Sequence, residues 1–202
     1  MTPPTLGPDR NMLDPTSIEG CMTSFTIGII VSSSRPTRIG PKVAQWISEL
    51  APYGNEVDII DLAEVDLPFL AEPELPSAGN YTQPTTVAWS ERVRQYDGLI
   101  VALPEYNAGY PAVVKNAIDT LHAEWNGLPI GVVGYGWGAA AGSVKQFGEV
   151  LDRVQAVRLD GPGLKFGEDL TPEGEILQAA PEDAVRGLFD QINAAARETA
   201  AA

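Results

Sequence analysis

Three stretches of the chain hold the residues whose types and spacing could do chemistry. The first, Ser32-Ser33-Ser34-Arg35-Pro36-Thr37-Arg38-Ile39-Gly40-Pro41, sets four hydroxyls and two guanidinium groups ahead of a helical pattern of Val43, Trp46, Ile47 and Leu50. Helix amino ends and turn amides bind phosphate, and arginine adds charge-assisted bonds. Serines also cap helices with no ligand present, but an arginine beside a helix start is unfavourable unless an anion offsets it. No Gly-Lys-Ser/Thr ending follows, so nucleotide hydrolysis lacks its parts. The second stretch, Leu103-Pro104-Glu105-Tyr106-Asn107-Ala108-Gly109-Tyr110-Pro111, offers stiff backbone, one point of close approach and two aromatic faces. An ordinary connection punctuated by prolines would read the same way. The third, Tyr135-Gly136-Trp137-Gly138-Ala139-Ala140-Ala141-Gly142, satisfies a dinucleotide fingerprint, with Asp160 about twenty residues on. Small residues that let a helix pack close to a sheet explain it equally well, and a dinucleotide fold carries that motif on its first strand.

Other reactive types are scarce. His122 is the only histidine, which removes histidine-based zinc sites and most Ser-His triads. Glu105 reads as a solvated or capping carboxylate before it reads as a base. Lys115 and Asp119, four apart on a helix, read as a structural pair. Cys21 stands alone, so no internal disulfide forms and a reducing cytoplasm is the expected location. The first twenty residues lack a basic start and an apolar block, so no secretory leader is expected. No apolar run approaches the ~20 residues that span a bilayer. The formal net charge of −14 argues against nucleic acid or an anionic membrane as partner. An anion bound here needs a local cluster of donors, which the first stretch supplies.

The elements that position these stretches alternate. Phe25–Val31 is a strand apolar on both faces, and Glu56–Leu62 is a second. Residues 63–83 form a long proline-rich connection of the length that often covers a site. A helix with Val87, Trp89, Val93 and Tyr96 precedes a third strand, Leu99–Leu103, and a helix runs from Tyr110 to about Leu121. Leu128–Tyr135 is the fourth strand, and Val144, Phe147, Leu151 and Val154 mark the next helix. Ala156–Asp160 is a short fifth strand, followed by a Gly/acidic loop and a last helix with Val185, Leu188, Phe189 and Ile192 inward. Residues 1–22, broken by four prolines, are expected to be a flexible tail ahead of one domain at 23–202. With right-handed crossovers, this order gives a three-layer, doubly wound α/β fold with a five-stranded parallel sheet ordered 2-1-3-4-5. Its crevice lies between strands 1 and 3, where the first two stretches meet with the third beside them.

Together the three stretches resemble the NADPH-dependent FMN reductase family, flavodoxin-like enzymes that include quinone and azo-dye reductases. The resemblance rests on Ser33-Ser34-Arg35-Pro36-Thr37-Arg38-Ile39-Gly40 and on Pro104-Glu105-Tyr106-Asn107 with Pro111. It continues through Lys115-Asn116-Ala117-Ile118-Asp119 to Glu124-Trp125 and reaches Tyr135-Gly136, spanning about residues 25–155. Two departures stand out: Ser32 replaces a frequent glycine, and Gly138-Ala139-Ala140 replaces a more glycine-rich run.

The resemblance implies FMN rather than FAD, with its phosphate on Ser33, Arg35, Arg38 and the Ile39 amide. The ring would lie along Pro104, Glu105, Tyr106 and Asn107, with its pyrimidine edge against Tyr135, Gly136 and Trp137. Fixed amides there suit the negative charge of a reduced flavin. It implies NADPH or NADH as co-substrate, no catalytic side chain beyond the flavin, and a small-molecule electron acceptor such as a quinone, free flavin or azo compound. It also implies a homodimer or homotetramer, with Tyr110, Trp125 and Trp137 near one edge. The alternative is a flavodoxin-type electron carrier without NADPH turnover, although the first stretch lacks the arginine-poor Thr-Gly-Thr pattern such carriers resemble.

Overall fold

A computed structural model describes residues 24–201; the expected tail, with Cys21, lies outside them. Strand β1 (Phe25–Val31), helix α1 (Gly40–Glu49), β2 (Asn55–Asp61) and the single turn α2 (Leu62–Val65) open the chain. Then come α3 (Pro84–Val93), β3 (Gly98–Pro104), α4 (Ala112–Asp119), β4 (Pro129–Gly136), α5 (Ala141–Arg153), β5 (Val157–Lys165) and α6 (Glu182–Ala200). The five strands form one sheet in the order β2-β1-β3-β4-β5, and all neighbours are parallel. This is the expected fold class and order.

The apolar runs of the central strands follow from a sheet covered on both faces. Ile27, Ile29, Ile100, Ala102, Val133 and Tyr135 pack toward α1 and α6. Ile30, Leu99, Val101, Leu103, Ile130 and Val132 pack toward α3, α4 and α5. Glycines let α6 lie close: a Cβ at Gly98 would meet Ile192 at 2.3 Å, and one at Gly131 would meet Leu188 at 2.8 Å.

Two expectations need correcting. The fifth strand does not stop at Asp160 but runs to Lys165, through Gly161-Pro162-Gly163. Its register slips between Asp160, opposite Val132, and Gly163, opposite Gly134, so two residues face the single Val133. Proline is tolerated at such a bulge on an edge strand. A Cβ at Gly161 would lie 2.3 Å from the Val132 carbonyl, which explains the small residue there.

The connection 63–83 does not cover the crevice either. It straps the α4 face instead. The Asn116 amide accepts from Leu70 N (3.1 Å) and donates to Pro68 O (3.0 Å). Glu72 accepts from Thr82 N and Gln83 N at the start of α3 (2.8 and 3.0 Å). Tyr81 Oη donates to Glu124 (2.9 Å).

Glu124 is a buried hub. Its side chain is fully enclosed, and it also accepts from Ser90 Oγ (2.6 Å) and Arg94 (2.7 Å). Burial alone would raise its carboxyl, but these donors together hold it below the ordinary glutamate value. A depressed native pKa contributes stability above the unfolded value that is lost as pH falls through the native one. Glu124→Gln is therefore expected to cost about 2 kcal/mol at neutral pH and to flatten the acid limb below about pH 4.5. Urea midpoints from pH 7 down to 3 check this; parallel wild-type and variant curves would exclude the role.

Candidate functional site

All three chemical stretches emerge at the carboxyl ends of β1, β3 and β4 and enclose one cavity of about 740 Å³. That volume suits a cofactor-sized ligand. The first loop is anchored by Ser32, whose hydroxyl donates to Ala102 O on β3 (2.7 Å). This departure from glycine therefore serves as a structural bolt. Ile39 is the N-cap of α1, which has no side-chain cap, no acidic residue in its first turn and a proline at its start. The positive end of the helix is thus left open at the cavity. Arg38 is held there by Asp61 (Nη2 to Oδ2, 2.7 Å), with side chains 20% and 11% exposed. The other Asp61 oxygen accepts from Ala63 N at the start of α2 (3.0 Å). Arg35 is looser, touching only Thr37 Oγ1 (3.4 Å).

The second loop is a tight hairpin. Tyr106 and Gly109 exchange backbone bonds (2.8 and 3.1 Å) across Asn107 and Ala108, whose φ values are 51° and 62°. Positive φ at both central residues is the type I′ pattern, which favours asparagine and strains alanine. Gln146 of α5 holds the turn by donating to Ala108 O (2.6 Å). Asn107 sits at the tip and does not line the cavity; the other ten residues expected at the site do. Glu105 accepts from Ser143 N (3.1 Å) in the first turn of α5, so it is a helix-capping carboxylate as well as a wall residue. Ser143, fully buried, donates to Pro104 O (2.9 Å) and bolts the second loop to α5.

In the third loop Gly136 has φ 145°, and Ala139 and Ala140 have φ 53° and 54°. The alanines that depart from the glycine-rich run thus adopt conformations glycine takes without strain. Trp137 is 72% exposed at the rim, edge-on to Phe166 at 5.4 Å between ring centres. Asp160, the fingerprint acid, lies on β5 beside Arg158 (3.8 Å) and is not a cavity residue. Of the three aromatics that the resemblance sets near one edge, Trp125 belongs to the core, fully buried against Trp89. Lys115 and Asp119 pair on α4 as expected (2.5 Å), and His122 is exposed. No His/Cys/Asp/Glu cluster among the described residues could hold a metal.

Sequence reasoning missed Asp61, Ser143 and the wall made by Lys42, Phe166, Pro172 and Glu173. Lys42 Nζ donates to Glu173 O (2.7 Å), tying α1 to the segment after β5. The detectable signal was the apolar Leu164 and Phe166 just past the Gly-Pro-Gly run.

The cavity also meets a direct test for an anionic ligand. Ser33 Oγ, Arg38 Nε and Tyr135 Oη are buried with no partner among the described residues. Each can donate, and a buried unpaired polar group costs about 1–3 kcal/mol. Ser33 and Arg38, beside an uncapped helix start, call for an acceptor-rich group, and a phosphate fits.

Comparison with known proteins agrees. Residues 25–168 match the family described as NADPH-dependent FMN reductase. An NAD(P)H-dependent FMN reductase of Saccharomyces cerevisiae is 33% identical over 175 residues, 80% of this chain and 88% of that protein. One of Schizosaccharomyces pombe is 40% identical over 112 residues, and that match spans 54% of this chain and 56% of the relative. The flavoenzyme NAD(P)H:(acceptor) oxidoreductase FerB from Paracoccus denitrificans shares the fold with a TM-score of 0.62 at 23% identity, over 86% of this chain and 96% of that one. The match begins at β1, ends beyond β5 and takes in all three loops: the chain belongs to the NADPH-dependent FMN reductase family.

Proposed function

We propose that this chain uses FMN held in the three-loop cavity to pass reducing equivalents from NAD(P)H to a small acceptor, such as a quinone, a free flavin or an azo compound. Membership of the family carries the activity class, NAD(P)H-dependent oxidoreduction with FMN. When bound, FMN supplies a redox centre that takes a hydride from NAD(P)H and yields it to the second substrate. The chain's own part is binding, orientation and electrostatics. Ser33, Arg35, Arg38 and the Ile39 amide would hold the phosphate at the start of α1. Pro104, Glu105 and Tyr106 would lie along the ring, with Asn107 shaping the turn beside them. The main chain of Tyr135, Gly136 and Trp137 would meet its pyrimidine edge. Ser143 and Gln146 fix the second loop against α5, so donors stand ready before any ligand arrives.

The observation that carries this reading is the pair of buried donors on Ser33 and Arg38, without a partner among the described residues, beside the uncapped start of α1. The reading extends to a cytoplasmic homodimer or homotetramer. Its supports are the exposed aromatics Trp137 and Phe69 and the lone cysteine. No helix among the described residues is long and apolar enough to cross a membrane.

The test is the absorption spectrum of protein reconstituted with FMN, followed by anaerobic NADPH and NADH. Bound flavin bleached by either nucleotide and restored by a quinone is the expected result. Extraction of FAD, no affinity for FMN, or bound FMN that neither nucleotide bleaches would overturn the reading. A strictly monomeric, fully active species in light scattering at micromolar concentration would overturn the assembly.

A further inference from the structure

The resemblance places Tyr135 at the ring of the cofactor, but its hydroxyl stands near Ser33 Oγ at the start of α1. Tyr135 is 3% exposed, and its Oη finds no partner among the described residues. A Cβ built on Gly40 would stand 2.9 Å from that oxygen and 2.2 Å from Ser33 Oγ. Both hydroxyls therefore converge on the Cα of the first residue of α1. Any larger residue at Gly40 would displace them. Burial pushes the phenol above its ordinary value, while neighbouring Ser33 and the charge of Arg38 pull the other way. The net direction is upward, so the phenol remains a donor through the neutral range.

We propose that Tyr135 is a positioning residue for the cofactor's phosphate: in the loaded protein its O–H donates to Ser33 Oγ, which turns the Ser33 proton toward the phosphate. The assignment rests on the FMN reading above. A serine hydroxyl has one proton and two acceptor sites. With an acceptor site filled by Tyr135, the remaining proton is aimed rather than free to rotate. The main chain of Tyr135 keeps its place beside the ring. One residue thereby serves both ends of the ligand, with its side chain on the phosphate side.

Riboflavin, which shares the ring but lacks the phosphate, separates the two roles. Apoprotein of the wild type, Tyr135→Phe, Ser33→Ala, the double variant and Gly40→Ala is titrated with FMN and with riboflavin by flavin fluorescence. Tyr135→Phe is expected to weaken FMN about five- to tenfold and to leave riboflavin within about twofold. Because the effect runs through Ser33, the double variant is expected to match Ser33→Ala within about twofold. Gly40→Ala, which displaces both hydroxyls, is expected to show the same selective loss. Equal losses for FMN and riboflavin in Tyr135→Phe would make the contact one with the ring and overturn the proposal. So would unchanged FMN affinity in Tyr135→Phe or Gly40→Ala, or additive losses in the double variant. Wild-type protein that binds no FMN would overturn the function itself, a result distinct from any change in the FMN-to-riboflavin ratio.

Discussion

Arg38→Ala is expected to lower FMN affinity about ten- to a hundredfold, the worth of one charge-assisted hydrogen bond at 1.5–3 kcal/mol. Arg38 is the prepaid member of the two arginines. Asp61 holds it at 2.7 Å, and that carboxylate is itself fixed by the Ala63 amide. Little side-chain entropy remains to be lost when a ligand arrives. Arg35 touches only a threonine hydroxyl at 3.4 Å and must be ordered on binding, so Arg35→Ala is expected to cost less. Asp61→Asn keeps the guanidinium but loosens its brace. Its expected loss is intermediate and non-additive with Arg38→Ala, because the two side chains act as one unit. Equilibrium titration of the apoproteins reads these three variants and the Arg38→Ala/Asp61→Asn double variant. Unchanged affinity in both arginine variants would remove the phosphate from the first loop.

Trp125→Ala is expected to destabilise the fold by about 3–5 kcal/mol, the range for deleting a large buried aromatic. Trp125 is fully enclosed, meets Trp89 at 6.4 Å between ring centres and donates its indole N–H to Ile118 O (2.9 Å). The variant therefore opens a void and removes the side-chain donor from the Ile118 carbonyl, which keeps its bond from Leu121 N (3.3 Å). For a chain of this size the melting temperature should fall on the order of 10 °C. In whatever fraction stays folded, FMN and riboflavin should keep their affinity ratio, because none of the cavity-lining residues belongs to the core cluster that holds Trp125. A melting shift under about 3 °C would show that the core closes over the gap.

The fold was legible because each level of the sequence pointed the same way. Apolar runs bounded by turn residues gave buried strands, and the alternation with helical spacing left one topology to consider. The first loop was legible from residue type, since hydroxyls and arginines ahead of a helix start suit an anion; the second and third read equally well as ordinary connections until the family resemblance joined them to it. What stayed hidden depends on three-dimensional bookkeeping. Gly161-Pro162-Gly163 reads locally as a turn, and only pairing with β4 keeps it in a strand. Cutting the strand at Asp160 then hid Phe166 and the wall that follows. Asp61 reads as a residue inside the strand Glu56–Leu62; it becomes the brace of Arg38 because β2 lies next to β1. Trp125 looked like an edge aromatic because sequence gives its size but not what the Glu124 hub and α3 lay over it.

The bulge in β5 bears on how copies of this chain can meet. Proline at 162 removes a backbone donor from the sheet's outer strand, and the slipped register twists that margin away from a flat template. At the opposite margin β2 carries the exposed Glu56 beside Asp58, which Arg92 pairs at 2.9 Å, and two such strands laid side by side would bring carboxylates together. Neither border of the sheet is therefore built for strand addition. If copies of this chain associate, helices and loops are the expected contact, so that each copy keeps its own five strands. The same two borders also deny an unfolding neighbour a template for fibrous growth.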